Sequence, residues 1–116
     1  MLNFGATTRT MEIAYSFKKL SEFDQHFCRQ YVERKVEAVE RALPHMRPDA
    51  VTSLQFRAER FAKKKAFKVT LMLNAGGSHW MAEEDDHTLQ EAIDLAKDKL
   101  ILQMRKHRRL QGTMQG

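Results

Sequence analysis

Residues 88–109 read TLQEAIDLAKDKLILQMRKHRR. Leu89, Ile93, Ala96, Leu100, Met104 and His107 recur at helical spacing within a narrow arc, which predicts a helix with one face in a core. Thr88 and Glu91 form a T-x-x-E capping box at its start, and the segment from Gln111 to Gly116 reads as a frayed end. The rest of the surface is basic towards the C-terminus. Lys97, Lys99, Arg105, Lys106, Arg108 and Arg109 face a single acid, Asp98, between positions 97 and 109. Acids at the start of a helix and cations at its end complement the backbone dipole, which accounts for one or two of these cations. It does not account for four in the last five residues. Phosphate oxygens take charge-assisted donors at several points along a groove, so this helix is expected to hold a core on one side and an anion on the other.

A one-faced helix needs a sheet or another helix to cover it, and the chain upstream supplies both. Met11 to Phe17 alternates apolar and polar, with Met11, Ile13, Tyr15 and Phe17 on one face of a strand. Ser21 is an N-cap with Asp24 in the first turn. The helix it starts carries the stripe Cys28, Tyr31, Val32, Val36, Val39 and Leu43, and Pro44 and Pro48 stop it. Val51 to Phe61 and Phe67 to Asn74 alternate as two further strands around the Ala62–Ala66 turn. Ala75-Gly76-Gly77-Ser78 is a turn signal, and His79 to Glu83 is a short fourth strand. The order β-α-β-β-β-α predicts an α+β domain, a four-stranded sheet with both helices packed on one face.

At 116 residues the chain is expected to be one domain, residues 11–109, with a flexible lead-in (1–10) and tail (110–116). Its net charge of +5 and pI near 9.6 imply an anionic partner, nucleic acid foremost. Cys28 is the single cysteine, so no intramolecular disulfide forms, which suits a reducing cytoplasm. No apolar run approaches a membrane span, and residues 1–10 lack the apolar core of a signal peptide.

Four other groups compete for a role. Lys63, Lys64 and Lys65 at a hairpin tip protect an edge or probe phosphate equally well. The histidines and the lone cysteine show no metal-ligand spacing. Glu83-Glu84-Asp85-Asp86 reads as a solvated loop ahead of the last helix, favourable there for its charge. Cys28, on the inward stripe, reads as a core residue, and Phe56, Phe67 and Trp80 as packing residues more than a base-stacking platform. No cofactor, metal or catalytic set is expected.

Two stretches resemble the ribosome hibernation promoting factor family, also known as ribosome-associated inhibitor A or protein Y. Tyr31-Val32-Glu33-Arg34-Lys35-Val36 is similar to its first-helix pattern Y-V-x-x-K-hydrophobic. Ala92-Ile93-Asp94, Asp98-Lys99-Leu100 and Gln103-Met104-Arg105-Lys106-His107-Arg108 are similar to its A-I-D…D-K-L…Q-L-x-K-H-K signature. Gln90 stands where the family often has an aromatic. The resemblance covers about residues 11–109. It implies a non-enzymatic translation inhibitor of stationary phase and stress, which fills the mRNA and tRNA channel of the small ribosomal subunit. It implies rRNA contact by Lys35, Lys99, Arg105, Lys106 and Arg108. Charge alone adds Lys97, Arg109 and the tri-lysine turn. The expected partners are the small subunit and its rRNA, with no membrane and no small-molecule substrate, and a monomer off the ribosome. The layout also suits a general double-stranded-RNA-binding module. A small enzyme or adaptor built on the acidic run and histidines is the third reading.

Overall fold

The computed structural model describes residues 11–43 and 52–115, with side chains as far as Lys106. Among the described residues the elements are β1 (Met11–Lys18), α1 (Glu22–Ala42), β2 (Thr52–Phe61), a 3₁₀ turn (Ala62–Lys64), β3 (Ala66–Ala75), β4 (Ser78–Asp86) and α2 (Leu89–Gln115). The sheet order is β1-β2-β3-β4, with β1 parallel to β2 and the other neighbours antiparallel. The expected α+β architecture is the observed one. The lead-in 1–10, the Pro44 and Pro48 stop, Val51 and Gly116 lie outside the described residues.

Each boundary has a local cause. The Ser21 hydroxyl accepts from the Asp24 N–H at 3.1 Å and starts α1. Leu43 ends it in an extended conformation (φ −63°, ψ 143°), the region favoured by a residue that precedes proline. The Thr88 hydroxyl accepts from the Glu91 N–H at 3.1 Å and starts α2. Gly76 and Gly77, both at positive φ, close the β3–β4 hairpin in two residues. At the other hairpin Lys65 takes the left-handed conformation (φ 49°), and its N–H donates to Ala62 O at 3.2 Å.

The core lies between one sheet face and the two helices. Leu54, Phe56 and Ala58 of β2 and Val69, Leu71 and Leu73 of β3 are buried beneath Val32, Val36 and Val39 of α1 and Ile93, Leu100 and Met104 of α2. A fully buried side chain such as Phe56 or Leu100 contributes about 1.5–3 kcal/mol. The stripe read on α1 is buried, with Ala42 joining it at its end and Leu43 half-buried against the core.

Two boundaries differ from expectation. β4 runs three residues past Glu83, so the acidic run is strand and not loop. Antiparallel pairing sets Glu83, Glu84, Asp85 and Asp86 opposite Thr70, Val69, Lys68 and Phe67. Lys68 Nζ stands 3.8 Å from Glu83, and the Thr70 hydroxyl donates to it at 3.1 Å. Cross-strand partners of this kind let acids sit in a strand. α2 continues to Gln115 instead of ending near Arg109. No proline interrupts it, and Gly112 alone costs a helix only about 1 kcal/mol.

Candidate nucleic-acid interface

The helix layer meets at a seam built by the two motifs that lie farthest apart in the chain. Tyr31 of α1 donates its hydroxyl hydrogen to the Asp94 carboxylate of α2, at 2.9 and 3.0 Å from its two oxygens. Lys35 Nζ stands 3.9 Å from the same carboxylate and 5.0 Å from the Tyr31 ring centroid. Phe27 stacks on Tyr31 at 5.2 Å, and the Arg34 guanidinium lies 5.5 Å from that ring. Roughly two to three turns further along both helices, Arg41 and Arg105 flank a pocket of about 240 Å³ floored by Ala38, Ala42 and Ile101. Arg34, Lys35 and Arg41 thus line the α1 side of the seam, and Lys97 and Arg105 the α2 side.

The expected contact residues divide by environment. Arg105 and Lys106 are exposed and, among the described residues, have no carboxylate partner. Lys35 is half-exposed beside Asp94. Lys97 does not project outward as expected. Its side chain is 17% exposed, its stem packs at the seam with Val36 and Ile93, and its amine meets Asp98 at 3.2 Å. Long cationic side chains cover apolar surface in this way. Lys99 leans the other way, onto the sheet edge. Its amine is 3.1 Å from Glu84 and donates to Glu83 O at 3.4 Å. The side chains of His107, Arg108 and Arg109 lie outside the described residues.

Lys63, Lys64 and Lys65 belong to the opposite end of the molecule. They cap the β2–β3 hairpin, beside the start of α2, where His87 Nδ1 is 3.3 Å from Lys65 O. Gln103 of α2 bonds Met81, and Lys99 bonds Glu83, so α2 runs antiparallel to β4 and carries Arg105 towards the Gly76-Gly77 turn. The ten residues of β3 separate the two ends, about 30 Å at strand rise. The tri-lysine turn and the basic end of α2 therefore do not form one patch.

Sequence reasoning passed over Arg34 and Arg41. Both lie seven residues apart on α1, a spacing that returns to nearly the same face, and that repeat was the available signal. The sheet's outer face is charge-balanced by comparison. Lys18, Glu59, Lys68 and Asp85 fall in one cross-strand row, with Lys18 Nζ 3.7 Å from Glu59. Burial, with the Asp24 carboxylate adding to it, pushes the Cys28 thiol up to about 12, so this side chain is a protonated core group at neutral pH. Among the described residues no three His, Cys, Asp or Glu gather as metal ligands, and no helix is long and apolar enough to cross a membrane.

The family model described as sigma 54 modulation protein / S30EA ribosomal protein matches residues 16–111. The chain belongs to this family. Its ribosome-associated character therefore rests on a match that runs from the end of β1 into the basic part of α2. No curated protein sequence matches the chain closely. Two solved structures share the fold. The Thermus thermophilus Protein Y N-terminal domain has a TM-score of 0.66 and 24% identity, over 84% of this chain and 99% of that one. A ribosomal subunit interface protein from Coxiella burnetii has a TM-score of 0.66 and 18% identity, over 85% of this chain and 99% of that one.

Proposed function

We propose that this domain is a translation inhibitor and hibernation factor that binds the small ribosomal subunit and occludes its mRNA and tRNA channel. The helix layer faces rRNA. The observation that carries the reading is the seam, where Arg34, Lys35, Arg41 and Arg105 converge from two helices held together by the Tyr31–Asp94 bond. Fixed cations on a rigid ridge suit the phosphates of folded RNA, whose grooves are read by shape and backbone contact. Lys106 extends the ridge, and Arg108 and Arg109 are the next cations in the sequence. Lys97 and Lys99 act mainly by holding α2 in place, and the tri-lysine turn makes a separate, peripheral contact. The protein works in the cytoplasm, without cofactor or catalytic step, by filling space that mRNA and tRNA need. A ribosomal partner fits the chain better than free duplex RNA, because the match to the S30EA family spans the domain.

Co-sedimentation with purified small subunits tests this reading. The wild-type chain pellets with them and protects them from mRNA binding, and Arg105→Glu/Lys106→Glu/Arg108→Glu stays in the supernatant with its circular dichroism unchanged. Unchanged pelleting of that variant would sink the proposal. Equal affinity for free duplex RNA and for subunits would favour a general RNA-binding module instead.

A further inference from the structure

The two edges of the sheet are treated differently. At the β4 edge, α2 packs along the strand, Gln103 Nε2 donates to Met81 O at 2.7 Å, and Lys99 Nζ donates to Glu83 O at 3.4 Å. Side chains of the same molecule thus take up alternate carbonyls of that edge. β1 is the opposite edge, with β2 as its one strand neighbour among the described residues, and α1 barely touches it. Its outward residues Glu12, Ala14, Ser16 and Lys18 are exposed. Ile13, Tyr15 and Phe17, although on the helix-covered face, are only half-buried. Arg29 lies over two of these rings, 4.8 Å from the Tyr15 centroid and 5.3 Å from that of Phe17. An eight-residue edge that carries Ile13, Tyr15 and Phe17 on one face is a template for another strand.

We propose that β1 pairs antiparallel with β1 of a second copy of this chain, about a twofold axis at Tyr15. The sequence of the strand is self-complementary in that register and not in its neighbours. Glu12 meets the partner's Lys18 at both ends, Ile13 meets the partner's Phe17, and small Ala14 meets small Ser16. A slip by one residue sends every apolar side chain to the wrong face. The neighbouring registers that keep the faces leave Glu12 opposite Ser16, or Lys18 opposite Ala14; Glu12 then has no cross-chain cation, and Lys18 keeps only Glu59 of its own chain. The isologous contact joins two sheets into one and covers the flanks of Ile13, Tyr15 and Phe17. One strand pair is a small contact, so the chain is monomeric when dilute and pairs as concentration rises. This inference does not depend on ribosome binding.

Analytical ultracentrifugation and disulfide trapping test it. The weight-average mass of the wild-type chain rises from 13.6 kDa towards twice that value with concentration. Glu12→Lys abolishes the rise, and Glu12→Lys with Lys18→Glu restores it in a Glu59→Gln background, because the swap regenerates both cross-chain pairs and the background spares the new glutamate a like charge on β2. On mild oxidation Ala14→Cys/Ser16→Cys gives a covalent dimer, whereas Ala14→Cys alone does not, since it faces serine. Cys28 is fully buried and does not contribute. A monomer mass at every concentration with no trapped dimer overturns the proposal. So does trapping by Ala14→Cys alone, which reports a different register, or failure of the charge swap to restore association.

Discussion

Removing the Tyr31 hydroxyl is the sharpest test of how the seam is held. Tyr31→Phe keeps the ring, its stacking on Phe27 at 5.2 Å and its burial, so no cavity forms. What is lost is one hydrogen bond to a carboxylate, at 2.9 Å. Hydrogen bonds to charged groups contribute about 1.5–3 kcal/mol. The Asp94 side chain is 34% exposed, so water compensates in part and the lower end applies, about 1.5 kcal/mol. For a domain of this size that lowers Tm by roughly 4–6 °C. Asp94→Ala removes the same bond and a weak surface pair with Lys35, worth under about 1 kcal/mol. Urea unfolding of the wild type, both single variants and the double variant then gives the coupling energy directly. We expect about 1–1.5 kcal/mol between positions 31 and 94. Additive effects, within about 0.3 kcal/mol, would refute the claim that this bond ties α1 to α2.

Two further outcomes follow from other contacts. Gln103→Ala exposes the Met81 carbonyl and lowers stability by about 0.5–1.5 kcal/mol in urea unfolding; Gln103→Glu, which cannot donate, fares no better, and full stability of the glutamate variant would contradict the assigned bond. The raised thiol of Cys28 has a definite sign: its contribution is fully present below the ordinary value of 9.0 and lost as pH rises through about 12. Between those values the wild type should lose stability faster than Cys28→Ala, and parallel curves would remove the assignment.

The fold was legible because its periodicities are clean. Alternation in β1 to β3 and the arcs of α1 and α2 each encode one buried face, and serine, threonine, proline and glycine mark most of the ends. The acidic run misled because charge reads as loop when its partners are unseen. Lys68 and Thr70, which hold Glu83 in the strand, lie more than a dozen residues upstream. The site was legible as a set of cations and not as an arrangement. Lys97 and Lys99 look alike in sequence, yet one falls into the seam and the other onto the β4 edge, because two residues turn a helix by about 200°. Arg41 is held on its own helix by Glu37 at 3.1 Å, and it faces Arg105 only because the two line one pocket across the seam. That pairing depends on helix packing, which local sequence does not record.

The most direct test of the account is equilibrium binding to purified small subunits at several salt concentrations, comparing reversals on the two faces of the domain. Arg41→Glu/Arg105→Glu should weaken binding by about tenfold or more per residue, roughly 1.4 kcal/mol each, and flatten the salt dependence as phosphate contacts are lost. Arg57→Glu on the outer sheet face should leave the affinity within about twofold, a few tenths of a kcal/mol. The reverse pattern, a tolerant seam and a sensitive sheet face, would contradict the assignment of the helix layer as the RNA-binding surface.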